Sequence, residues 1–259
     1  MNAARLLSLI AIFAAACGND PQEHSSPHQH RESPSAPVKV SFAADDSLQV
    51  TAHLYHLSPD APSVVLCHQL HYNKAEYREI AQALRAKGFN CLAIDQRVGG
   101  PMDSLPNETA LEANKTGKPA EQLDALKDIH AAVNFMAAKY GRPVILWGSS
   151  YSATLALYAG TENPNVRAMI VFSPGDYYAD SKGSLRERLA ELNKPLFATS
   201  SKEEAPELSA MLSAVKNKAL VSQFIPASRG QHGSRALWTS DENHGEYWAA
   251  ITIFLENIK

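Results

Sequence analysis

The sequence predicts an α/β fold, with one mainly parallel central sheet of about eight strands flanked by helices. Three observations predict it. From residue 63 onward, segments with strand and helix patterning alternate along the chain, the order that builds a parallel sheet wrapped by helices. Most of the strand-like runs are short and apolar without interruption, as strands covered on both faces are. The chain has 259 residues and no polar linker in mid-sequence, which suits one large domain. Apolar residues make up 45% of it, enough for a well-buried core. A formal charge of −3 with no Lys/Arg stripe excludes nucleic acid as a partner.

The N-terminus is set apart from this domain. Met1 to Arg5 is short and basic, and Leu6 to Ala16 is apolar apart from Ser8. That run is too short to cross a bilayer and suits the apolar region of a secretory signal. It ends in Ala14-Ala15-Ala16-Cys17, which resembles the bacterial lipoprotein signal, where a cysteine after small residues is acylated and becomes the new N-terminus. Ala14 stands where that signal usually has leucine; the alternative is cleavage after an Ala-x-Ala site, leaving Cys17 a plain thiol. Gly18 to Pro37 is rich in Ser, Pro and His and nearly free of apolar side chains, a composition that cannot build a core. His24, His28 and His30 lie in this tract without a fixed geometry and make no metal site. The expected organisation is a signal peptide at 1–16, a lipidated Cys17 and disordered tether at 17–37, and a domain at 38–259. Such a protein is exported and held at a bacterial envelope membrane by its lipid.

Within the domain, Val38 to Phe42 and Leu48 to Leu57 alternate apolar and polar residues around Asp45-Asp46, the pattern of an opening hairpin. Ser63 to Cys67 is a buried strand, and Ala75 to Lys87 is a helix stopped by Gly88. Phe89 to Ile94 is the next strand. Val98 to Lys118 reads as a long polar loop, and Pro119 as the first turn of a helix reaching Tyr140. Strands then follow at Val144 to Trp147, Ala168 to Phe172, Leu196 to Thr199 and Leu220 to Pro226. Helices are expected at Ala153 to Ala159, Ser184 to Leu192, Pro206 to Val215 and Gly245 to Asn257. Cys67 and Cys91 fall inside strands, where buried free thiols are expected.

Between the strand ending at Trp147 and the following helix stands Gly148-Ser149-Ser150-Tyr151-Ser152. A serine at such a strand-to-helix turn is held strained, with its hydroxyl exposed at the top of the sheet. Ser150 has Gly148 two residues before it, whereas the rival Ser149 has bulky Trp147 there. Ser152 replaces the second glycine of the usual pattern.

With this turn in its place in the strand order, the sequence resembles the α/β-hydrolase superfamily, and within it the dienelactone-hydrolase-like branch, from Val38 to Lys259. Four further segments carry the likeness: Cys67-His68-Gln69-Leu70, Asp95-Gln96-Arg97-Val98-Gly99-Gly100, Pro195 to Glu204, and Gly230-Gln231-His232-Gly233-Ser234. The resemblance implies the α/β-hydrolase fold and a cofactor-free, metal-free serine hydrolase. It implies Ser150 as nucleophile, His232 as base and Glu204 as acid, with Glu203 one residue away still open. It also implies an oxyanion hole from the N–H of Tyr151 and of Gln69 or Leu70, Gln69 standing where the family usually has glycine. His68 is expected to brace its loop and the Asp95 to Gly100 segment to fix a neighbouring one. Asp176 is an alternative acid and His244 an alternative base, though His244 adjoins the last helix. Tyr72, Tyr151 and Trp238 are candidate pocket walls. The expected reaction is hydrolysis of a carboxylic ester or similar acyl bond of a small molecule, with thioester and amide open. The alternative from another class, suggested by Gln69 and Ser152, is a catalytically idle lipoprotein that binds a ligand.

Overall fold

The computed structural model describes residues 36–259. The expected signal peptide, Cys17 and the tether as far as Ser35 lie outside the described residues.

Eight strands form one sheet: β1 (Val38–Ala43), β2 (Gln49–Tyr55), β3 (Ser63–Cys67), β4 (Asn90–Ile94), β5 (Val144–Ser149), β6 (Val166–Phe172), β7 (Leu196–Thr199) and β8 (Val221–Phe224). Their spatial order is β1-β2-β4-β3-β5-β6-β7-β8. The β1–β2 and β2–β4 pairs are antiparallel and every later pair is parallel. This is the sheet, helix-flanked and antiparallel only at its start, that the sequence predicts.

Successive side chains of a strand point to opposite faces, and here both faces are covered. Val144 and Leu146 of β5 enter one apolar cluster while Ile145 and Trp147 enter the other. The first cluster is completed by α2 (Glu108–Thr116), α3 (Ala125–Tyr140), α4 (Tyr151–Glu162), α6 (Leu185–Ala190) and α7 (Ala205–Leu212). The second is completed by α1 (Arg78–Ala86) and α8 (His244–Asn257). A short helix, α5 (Ala179–Lys182), lies between β6 and α6. Cys67 and Cys91 are buried free thiols on the two faces.

Three local expectations are corrected. The stretch expected to be loop throughout contains α2, whose first turn is capped by the Asn107 side chain accepting the Ala110 N–H at 2.9 Å. The helix expected from Pro119 begins only at Ala125, after a 3₁₀ turn at Gln122–Asp124 whose start is a capping box of Glu121 and Asp124. Pro119 stays in the loop, its carbonyl accepting from Arg97 at 3.1 Å. The helix expected from Ala75 is a 3₁₀ turn at Lys74–Tyr77 followed by α1.

Candidate active site

The C-terminal ends of the parallel strands gather the segments that the sequence singled out. Ser150 joins β5 to α4 with φ 58° and ψ −123°, a region that costs a side-chain-bearing residue about 1–3 kcal/mol and persists only where its surroundings enforce it. They do so here. The Ser150 N–H is held by the Phe172 carbonyl at 2.8 Å. A Cβ on Gly148 would lie 2.3 Å from the Ser152 carbonyl oxygen, so helix and strand meet too closely for any side chain there. Ser152, in the place of the second glycine, takes the Ser149 N–H at 2.9 Å and gives its hydroxyl proton to the Cys67 carbonyl at 2.7 Å. The substitution thus ties the turn to the end of β3.

Three expected residues come together at this turn. His232 Nε2 is 2.8 Å from Ser150 Oγ, and His232 Nδ1 is hydrogen-bonded to a carboxylate oxygen of Glu204. The other oxygen of Glu204 accepts the Ser173 hydroxyl at 2.8 Å, the Ser201 N–H at 3.0 Å and the Ser201 hydroxyl at 2.9 Å. Burial alone would raise this carboxyl, but the hydrogen bonds from His232 and Ser173 outweigh it and hold it at about 2. Glu203 is exposed and makes no bond to the imidazole; the carboxylate bonded to it is that of Glu204. The His232 turn is held from below: Gly233 N–H donates to Ser173 Oγ at 3.1 Å and Ser234 N–H to Ser149 Oγ at 2.8 Å. Gly233 has φ 74°, and a Cβ there would sit 2.8 Å from Ser149 Oγ. Ser149, the rival nucleophile, is fully buried as a bracket for this turn.

Of the two loop donors that the sequence leaves open, Gln69 N–H points to the Glu76 carboxyl at 2.7 Å and is spent there, so Gln69 drops out as a donor. Its neighbour Leu70, and Tyr151 at the first turn of α4, take no backbone acceptor among the described residues. His68 accepts the Gln96 N–H on Nε2 at 3.0 Å, so its Nδ1 carries the proton given to the Gln69 carbonyl at 2.8 Å. Burial lowers its pKa and keeps it neutral, a brace between two loops.

The remaining candidates find structural tasks. Asp176 accepts from Ser184 and the Leu185 N–H, both at 3.0 Å, at the start of α6. His244 opens α8 with Nδ1 2.6 Å from the Asp241 carbonyl. Tyr151 is buried, its hydroxyl bonded to the Gln96 amide and 3.2 Å from the Val98 carbonyl, so it packs beneath the site instead of walling a pocket. Tyr72 and Trp238 are half-buried and stack at 6.3 Å. Asp95 pairs with buried Lys74 at 2.7 Å, and Arg97 with Asp128 and Asp46 at 2.8 and 2.6 Å, fixing the loops beside the site. Sequence reasoning missed the roles of Ser173, Ser201 and Glu76, whose residue types carry no signal of their own. Tyr177 lies in the Ser173 to Tyr178 segment after β6, which the sequence offers as a shaper of the acyl or alcohol pocket, and its ring is half-exposed. Among the described residues, no group of three His, Cys, Asp or Glu is placed to hold a metal ion.

The family described as serine aminopeptidase, S33, matches residues 58–225. A thiohydrolase of Arthrinium phaeospermum is 29% identical over 160 residues, covering 58% of this chain and 48% of the relative. The chain spans about half the length of the curated relatives it matches. Among solved structures, the esterase Pf2001 of Pyrococcus furiosus superposes with a TM-score of 0.62 at 17% identity, over 85% of this chain and 92% of that one. A dienelactone hydrolase from Anabaena variabilis does so with a TM-score of 0.62 at 15% identity, over 86% and 99%. At these identities the structural likeness is one of fold.

Proposed function

Since the chain belongs to the serine aminopeptidase family S33, we propose that it is a serine hydrolase cleaving a carboxylic ester or similar acyl bond through an acyl-enzyme on Ser150. The observation that carries this reading is the single imidazole of His232 bridging Ser150 Oγ and the Glu204 carboxylate. Ser150 Oγ attacks the acyl carbon as its proton passes to His232 Nε2. The carbonyl π pair moves onto oxygen, where the N–H groups of Tyr151 and Leu70 receive it. Collapse of this intermediate expels the alkoxide or thiolate, which leaves with the proton from His232. Water then gives a proton to His232 and its hydroxide to the acyl carbon, and Ser150 regains the proton as the acid departs. Glu204 accepts the Nδ1–H throughout and holds the tautomer whose Nε2 is free to accept. A thioester would undergo the same attack, and the likeness to a thiohydrolase supports including thioesters among the proposed substrates.

The test is a fluorophosphonate probe, which phosphonylates an activated serine. Labelling of the folded chain at Ser150, abolished in Ser150→Ala, is the expected outcome. An unlabelled, folded wild type sinks the reading.

A further inference from the structure

Glu76 is fully buried in the 3₁₀ turn after the His68 to Tyr72 loop, and no step above uses it. One of its carboxyl oxygens accepts the Gln69 N–H at 2.7 Å, while the other finds no partner among the described residues. The Ser149 hydroxyl lies beside the carboxyl, in the turn that carries Ser150. A buried polar atom without a partner is costly, and this one belongs to an ionisable group next to the Ser150 turn.

The backbone around Gln69 gives it a task. The Gln69 carbonyl accepts from His68 Nδ1 at 2.8 Å and from the Tyr72 N–H at 3.3 Å. A trans peptide is planar, so the Leu70 N–H points opposite to that carbonyl. The bonds to the Gln69 carbonyl hold that plane, and the bond to the Gln69 N–H anchors the preceding plane from which the φ and ψ of residue 69 set it. Of the three bonds to the Gln69 backbone, only the one from Glu76 comes from outside residues 68–72.

We propose that Glu76 is a positioning residue of the acyl-transfer site: its carboxyl draws the Gln69 N–H away from the substrate and leaves the Leu70 N–H as the loop's donor to the oxyanion. This rests on the hydrolase reading above. Burial pushes the carboxyl up to about 7, against the opposing pull of the Gln69 N–H, the Ser149 hydroxyl and the charges of His232 and Arg235. Its carbonyl oxygen accepts the N–H in either protonation state, so the positioning needs an acceptor at this reach and does not need a charge.

That requirement separates three substitutions. Glu76→Gln keeps an acceptor at the same reach, Glu76→Leu keeps the bulk without one, and Glu76→Asp keeps the acid but draws it back by one methylene. The experiment is steady-state hydrolysis of p-nitrophenyl acetate by the full chain, with the rate of fluorophosphonate labelling as a second readout and thermal melting as the check of folding. Losing an oxyanion donor outright costs about 10²–10³ in kcat, so a misaimed one is expected to cost about 10- to 100-fold in Glu76→Leu and Glu76→Asp with KM within about threefold. Glu76→Gln is expected to stay within about threefold of wild type in kcat. If Glu76→Leu does not fold, Glu76→Asp carries the comparison. Folded Leu or Asp variants with wild-type kcat and labelling rate overturn the proposal, as does a Gln variant as impaired as the Asp one. A wild type that neither turns over nor labels overturns the hydrolase reading and this one together. An active wild type, a silent Ser150→Ala and unaffected Glu76 variants overturn this one alone.

Discussion

Glu203 and Glu204 sit one peptide apart, and their surroundings give them different work. Glu204 caps α7 with its carboxylate turned inward, where four hydrogen bonds from His232, Ser173 and Ser201 receive it. Glu203 faces water, the ordinary fate of a loop carboxylate. Glu204→Gln keeps the volume but offers His232 Nδ1 an amide N–H as readily as an acceptor, so the imidazole is free to adopt the wrong tautomer. Loss of about 10³–10⁴ in kcat is expected for Glu204→Gln, as for the aspartate of other triads, and less than about twofold for Glu203→Gln. Ester hydrolysis by the two variants checks this. Equal effects at both positions would remove Glu204 from the triad. Ser152 is the other instructive residue: what reads in the sequence as a defect in the turn proves to be a tie, through its hydroxyl, between the Ser150 turn and the Cys67 carbonyl.

The elements differ in how much of themselves they show in the sequence. β3 and β7 were legible to the residue, because a strand buried on both faces is a continuous apolar run bounded by polar residues. α2 was not, since only Thr109 and Ala113 of it are buried and neither marks an apolar stripe. The Pro119 signal misled because the capping box of Glu121 and Asp124 overrides it. The order Ser150, Glu204, His232 was legible because each residue sits in its own local motif. Their supports were not: Ser173 reaches Gly233 across the chain, and nothing in a lone serine or glutamate announces such a partner. The loop between β4 and α3 shows the same limit. Arg97 is fully buried there, bonded to Asp128 of α3, to Asp46 and to the Pro119 carbonyl. Arg97→Met leaves Asp128 buried without its cation, holding only the backbone N–H of residue 97, which is expected to cost about 3–5 kcal/mol in urea unfolding. The pair Arg97→Met with Asp128→Asn, which keeps an acceptor for the residue-97 N–H, is expected to recover much of that loss, because the cost lies in the orphaned charge and not in the missing ion pair. A double variant no more stable than the single one would refute this account.

For the molecule as a whole, two carboxyls of the site bend the dependence of stability on pH in opposite directions. Glu204 is lowered from 4.5 to about 2, so its contribution is present above 4.5 and lost as pH falls toward 2. It is partly exposed, and solvent screening makes that contribution small. Glu76 is fully buried and raised from 4.5 to about 7. Between those two values the folded chain holds a proton that the unfolded chain has released, so stability falls as pH rises. The contribution is complete below 4.5 and gone above about 7, a difference on the order of 3 kcal/mol. Glu76→Gln has no proton to lose. Urea unfolding of wild type and Glu76→Gln from pH 4.5 to pH 7.5 is therefore expected to show the variant gaining on the wild type by about that amount, with the change levelling off above about pH 7. Parallel curves would mean that Glu76 keeps its ordinary affinity for protons despite its burial. The site would then hold a buried negative charge beside the place proposed for the oxyanion, an arrangement that would oppose the proposed transition state.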